Sequence, residues 1–129
     1  MADVAMPHEQ PLAGERILIV DDEYIIVLDL VETLTRAGAS TLTARNSKGA
    51  LRCLRDSHVS LAVLDIRLAE HEDCFAISDE LARQGVPFIF LTGYATAPRQ
   101  WEHIPLLTKP ASPEVTNTLY HLCKRRHAA

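Results

Sequence analysis

Residues 16–22 read RILIVDD, four consecutive apolar side chains closed off by two aspartates. A short unbroken apolar run of β-branched type is the pattern of a parallel strand buried on both faces, where no solvent side exists to impose alternation. LAVLD at 61–65 and PFIFL at 87–91 repeat it. The segments between these runs have a helical period. Residues 23–37 place Val27, Leu30, Val31 and Leu34 on one face and stop at Gly38. Asn46 or Ser47 is placed to cap a second helix that buries Ala50, Leu51 and Leu54. Residues 73–83 form a third, with Ile77 and Leu81 one turn apart and Gly85 at its end. The last helix starts with Ser112 as cap and Pro113 at its first position, and presents Val115, Leu119 and Leu122 to the core.

Two weaker strands complete the alternation. STLTA at 40–44 alternates polar and apolar as an edge strand does. IPLL at 104–107 contains Pro105, which has no N–H for a ladder and needs an edge position. Strand following helix in this way predicts an α/β fold: a flavodoxin-like (βα)5 doubly wound parallel sheet of strand order 2-1-3-4-5. The fourth helix is expected to be reduced or irregular, because residues 93–103 contain a Gly, a Pro and little helical pattern. Trp101 in that link is read as packing on the sheet or as a contact surface. Residues 1–15, with two prolines, a glycine and little periodicity, are expected to be a flexible N-terminal tail, and residues 16–129 the domain.

The totals narrow the functional classes. A chain of 129 residues forms one domain. A net charge of −4 gives no reason to expect sequence-neutral nucleic-acid or membrane binding. No apolar run approaches a membrane span, and no signal-peptide pattern opens the sequence. Three cysteines without a CxxC pair point to reduced thiols and a cytoplasmic location. The six histidines show no zinc-type spacing, His71 and His121 included.

In a sheet of this order, ligands bind at the carboxyl ends of the strands where the order reverses, between the first and third strands. Those strands end in Asp21, Asp22 and Asp65. Three carboxylates together raise one another's pKa, and a hard divalent cation such as Mg2+, which takes oxygen ligands, relieves the conflict. The fourth and fifth strands end at the same edge in Thr92 and Lys109, a hydroxyl and an ammonium suited to phosphoryl oxygens. Each residue alone has an ordinary reading as a turn, a cap or loop punctuation. All four strand ends carrying the required group is the signal for a phosphoryl-transfer site.

With these motifs in order (ILIVDDE, LAVLDIRL, FLTG and LTKP), residues 16–126 resemble a receiver domain of two-component response regulators. The resemblance implies Asp65 as phosphoacceptor. It implies Mg2+ held by Asp22, Asp65 and the backbone carbonyl of Arg67, with Asp21 acting through a water. It implies Thr92 and Lys109 as the phosphoryl-contacting and switch pair, and Pro110 fixing the lysine loop through a cis peptide. PFIFLTGYA also resembles the PFxFATGUY signature of a single-domain subgroup with a reduced fourth helix. Gly93 and Tyr94 fit that signature, whereas Leu91 and Ala95 depart from it.

Other positions depart from the wider family. Leu106 stands where many receivers have a switching aromatic, which puts the usual Thr–aromatic rotation in question. Arg67 and Tyr94 are bulky where a hydrolytic water would pass, which implies slow loss of the phosphoryl group. The link between Thr92 and Lys109 is short, and residues 93–103 are expected to be flexible and to order on phosphorylation or partner binding.

By the same resemblance, a histidine kinase or histidine phosphotransfer protein docks beside the acceptor. Ile25 and Leu28, on or bordering the polar face of the first helix, are the candidate docking residues. The sequence ends three residues beyond the last helix expected at Arg126, so the expected output is docking to a partner or a phosphate sink. No enzymatic turnover is expected: an aspartate-nucleophile phosphatase has a second Asp where this chain has Arg67. The alternative is a receiver-like interaction module that works independently of phosphorylation.

Overall fold

The computed structural model describes residues 10–68, 72–93, 96–110 and 112–128, apart from the side chains of Ser112, His127 and Ala128. Five strands form one sheet: β1 (Arg16–Val20), β2 (Ser40–Ala44), β3 (Leu61–Leu64), β4 (Phe88–Thr92) and β5 (Leu106–Thr108). All neighbouring pairs are parallel, in the expected order β2-β1-β3-β4-β5. The helices are α1 (Tyr24–Arg36), α2 (Ser47–Asp56), α3 (Phe75–Gln84) and α4 (Ser112–Ala128).

Strand alternation divides the core into two layers. Leu18, Val20, Ala62, Leu64, Phe88 and Phe90 face α2 and α3. Ile17, Ile19, Leu61, Val63, Ile89 and Leu91 face α1 and α4. The three central strands therefore bury every apolar side chain, which is why they read as unbroken runs. Asn46 caps α2, its side chain accepting from the Gly49 N–H at 2.8 Å. Gly85 ends α3 in the left-handed conformation, and the Val86 N–H bonds back to Leu81 O.

Three expectations change. The fifth strand begins at Leu106, not at Ile104. Pro105 lies just before it and serves the ladder only as an acceptor, taking the Phe90 N–H at 2.9 Å. The core stripe of α4 runs through Val115, Leu119 and Cys123, with Leu122 only partly buried.

The third change concerns the tail expected over residues 1–15, of which residues 1–9 lie outside the described residues. Residues 10–15 pack onto the domain. Leu12 is fully buried and its N–H reaches Ala37 O at 2.9 Å. Glu15 is buried against Arg126 and Cys123.

Between β4 and β5 the only helical element among the described residues is a 3₁₀ turn at Arg99–Trp101. Trp101 is buried against the sheet, its ring edge-on to Phe88 at 5.6 Å. The fourth helix is thus reduced, as expected, and its aromatic residue is a core residue rather than an exposed contact.

Candidate functional site: an acid pocket at the carboxyl edge of the sheet

Strand register brings the acids together. Val20 pairs with Leu64, so the residues that follow, Asp21 and Asp65, fall side by side at the reversal of strand order. The Asp65 N–H bonds to Val20 O at 2.8 Å and the Asp21 N–H to Ala44 O at 3.1 Å, which continues the ladder one step past the strands. Asp22 begins the turn into α1. Ligand oxygens of Asp21, Asp22 and Asp65 lie within 4.8 Å of one another. Asp21 and Asp65 are buried and Asp22 is half-buried.

The second half of the site comes from β4 and β5 in the same way. Thr92 pairs with Thr108, and the next residue, Lys109, gives its backbone N–H to Thr92 O at 2.8 Å. The peptide bond to Pro110 is cis. The Lys109 ammonium projects back over the acids, 2.9 Å from Asp21 Oδ2 and 3.0 Å from Asp65 Oδ2, and it also bonds Glu23. A cleft of about 510 Å³ opens above, lined by Asp22, Glu23, Asp65, Thr92, Gly93 and Lys109 among others. Arg67 also lines it, and its backbone N–H donates to Asp65 Oδ1 at 3.3 Å.

The electrostatics follow from this crowding. Burial pushes the Asp65 carboxyl up to about 6, the Lys109 hydrogen bond opposes the shift, and the Asp21 charge adds to it. Burial likewise raises Asp21, against hydrogen bonds from the Glu23 N–H and Lys109. For Lys109, burial disfavours the ammonium, but hydrogen bonds to Glu23, Asp21 and Asp65 outweigh it and raise its pKa. Lys109 and Arg67 against the four carboxylates of Asp21, Asp22, Glu23 and Asp65 leave an excess of negative charge, and the three clustered aspartates offer oxygen donors only. That is the chemistry of a hard divalent cation site, and the residues present fit Mg2+.

Asp22, Asp65, Arg67, Thr92, Gly93, Lys109 and Pro110, all singled out from the sequence, line this pocket, and Asp21 lies beside them against Lys109. Tyr94 lies outside the described residues. Ile25 and Leu28 lie on the neighbouring turns of α1, 77% and 50% exposed, and Tyr24 beside them is 73% exposed. Sequence reading missed Tyr24. It also gives no role to Glu23, which it places at the start of a helix and at the end of the ILIVDDE motif. A third acid directly after Asp21 and Asp22 is the one local signal that existed for Glu23.

Fold and pocket together define a doubly wound α/β domain with an acidic, lysine-capped site at its topological switch point. The chain belongs to the response regulator receiver domain family, whose model matches residues 17–114. It is similar to the solution structure of SdrG from Sphingomonas melonis Fr1, with a TM-score of 0.74 and 29% identity, covering 81% of this chain and 92% of that one. A response regulator receiver domain protein (CheY-like) from Methanospirillum hungatei JF-1 shares the fold, with a TM-score of 0.78 and 22% identity over 88% of this chain and 97% of the other.

Among curated proteins, the uncharacterized transcriptional regulatory protein YrkP of Bacillus subtilis (strain 168) is 34% identical over 104 residues, 77% of this chain and 45% of that protein. The probable transcriptional regulator ycf27 of Pyropia yezoensis is 39% identical over 79 residues, 60% of this chain and 32% of that protein. The chain therefore spans less than half the length of these two regulators. No helix among the described residues is long and apolar enough to cross a membrane.

Proposed function

We propose that this receiver accepts a phosphoryl group on Asp65 and passes the change to a protein partner. The observation that carries this reading is the placement of Asp65, with Asp21 and Asp22, directly under Lys109 in an open cleft. An Asp65 carboxylate oxygen attacks phosphorus. The P–N bond of a phosphohistidine, or the P–O bond of a small acyl phosphate, breaks, and the leaving group departs with the electron pair. An aspartyl phosphate remains. Asp22, Asp65 and the backbone carbonyl of Arg67 would hold Mg2+, with Asp21 acting through a water. When bound, the ion neutralises the charge that gathers on the carboxylates and phosphoryl oxygens. Lys109 and Thr92 hold those oxygens from the β4–β5 side, so positioning and charge neutralisation supply most of the catalysis.

The finer reading is a single-domain regulator of the type with the FATGUY signature, working in the cytoplasm and signalling by docking or as a phosphate sink. Arg67 at the cleft favours slow hydrolysis of the phosphoryl group and argues against enzymatic turnover. The exposed Ile25 and Leu28, in the first two turns of α1 after the cleft-lining Glu23, suit an incoming histidine kinase or phosphotransfer protein. Ile25→Asp is expected to slow transfer from such a donor while leaving labelling by acetyl phosphate unchanged. Equal loss in both assays would count against the docking reading.

The central test exposes wild type and Asp65→Asn to acetyl phosphate with Mg2+ and follows intact mass. Metal-dependent modification lost in the variant is expected. Failure of acetyl phosphate and of any kinase to modify the wild type would favour the phosphorylation-independent interaction module.

A further inference from the structure

A lysine ammonium has three N–H donors, and Lys109 has three carboxylate partners: Asp21 Oδ2 at 2.9 Å, Asp65 Oδ2 at 3.0 Å, and Glu23 Oε1. A phosphoryl oxygen entering the cleft can be held by Lys109 only if one of these partners leaves. Asp21 and Asp65 cannot leave cheaply. Both are buried at strand ends, and Asp21 is further held by accepting the Glu23 backbone N–H at 2.9 Å. Glu23 differs. Its side chain is 58% exposed, makes no capping bond to α1, and has solvent to swing into. Lys109 is largely buried but the Glu23 end of the pair is in solvent, so Glu23 is the partner that gives way at least cost. Glu23 also lines the same cleft as Asp65, Thr92 and Lys109, so an anion bound there meets its carboxylate directly.

We propose that Glu23 is a displaceable latch on Lys109: its carboxylate occupies the donor that a phosphoryl oxyanion must take, and it is expelled when the anion enters. Glu23 is thus a positioning residue. It holds the ammonium over Asp65 in the unmodified protein and sets the threshold for phosphoryl binding. The proposal rests on the phosphoryl-accepting reading of the site. It concerns tetrahedral oxyanions seated on Asp65 and no other ligand class.

The test titrates full-length protein with beryllofluoride, a phosphoryl mimic, at saturating Mg2+, with bound anion read by fluorine NMR. Glu23→Ala and Glu23→Gln are each expected to bind roughly three- to tenfold more tightly than wild type. Neither removes a capping bond, and thermal melts establish that both are folded. The same substitutions are repeated in a Lys109→Met background. If Glu23 acts through Lys109, its effect there shrinks to less than about twofold. If the gain persists in full without the lysine, Glu23 merely repels anions through space, and the latch is overturned. Unchanged or weaker binding by the Glu23 variants, with wild type binding normally, overturns the latch alone. No binding by wild type overturns the phosphoryl-accepting reading and the latch with it.

Discussion

Asp65 is charged at neutral pH in surroundings that disfavour the charge, and this has a measurable cost. Its carboxyl is raised from the ordinary 3.8 to about 6, chiefly by burial. A folded value above the unfolded one means that ionisation penalises the folded state. The penalty is absent below pH 3.8, grows as pH rises to 6, and is complete above it. Asp65→Asn, measured with a chelator present, should therefore be more stable than wild type at pH 8 by about 1–3 kcal/mol. The difference in urea denaturation should shrink as pH falls from 6 and vanish only below 3.8. A second single-residue effect lies at Gly38, whose φ of 102° favours glycine. A Cβ there would stand 3.0 Å from the backbone N and Cα of Ala13. Gly38→Ala should cost about 2 kcal/mol in thermal or denaturant unfolding, through left-handed strain and displacement of residues 10–15. Neither effect was legible in the sequence. Asp65 was identifiable as a strand-end acid, but not its depth, and Gly38 was read only as a helix stop.

Among the described residues of the short link between β4 and β5, Trp101 is buried, and Ala97 and Ile104 pack against the same core layer. Trp101, in the 3₁₀ turn, fills the place on the sheet that a fourth helix would cover, and packs on Phe88. Its indole N–H is buried with no hydrogen-bond partner among the described residues. The two facts give separate predictions. Trp101→Ala removes the packing and should cost about 3–5 kcal/mol. Trp101→Phe keeps a ring and removes the unpartnered donor, so it should cost less than about 1.5 kcal/mol. Denaturant midpoints at constant slope test both. At this scale the sequence was informative about periodic elements and less so about their ends. The interior runs of β1, β3 and β4 are local patterns. The start of β5 at Leu106 depends on which backbone groups face β4, which no local pattern reveals.

Across the whole molecule, polar chemistry gathers at the two ends of the parallel strands. The carboxyl ends carry the acid pocket and Lys109. The amino ends carry a buried cluster that ties residues 10–15 to the last helix: Arg126 bonds Glu15 at 2.9 Å and Ser60 O at 2.8 Å, and the Cys123 thiol donates to Glu15 at 3.0 Å. Burial would raise the Glu15 carboxyl, but hydrogen bonds from Cys123 and Arg126 overcome it and hold the group at about 2, against the ordinary 4.5. A depressed folded value gives stability that is present above pH 4.5 and is lost as pH falls towards 2, in all roughly 3 kcal/mol. Glu15→Gln should lower stability at pH 7 and flatten its decline between pH 5 and 2, as followed by circular dichroism. The sequence by itself determined the alternation of elements, the sheet order and the identity of the strand-end groups Asp21, Asp22, Asp65, Thr92 and Lys109. The alternation follows from side-chain periodicity between near neighbours in the chain, and the sheet order from the crossover rules that alternating strands and helices obey. Only the tertiary structure decided that Glu23 reaches Lys109, that Glu15 is clamped by Arg126, and that Trp101 replaces a helix. Those contacts join distant parts of the chain, and they exist only once the sheet has brought its strand ends and covering helices to fixed positions.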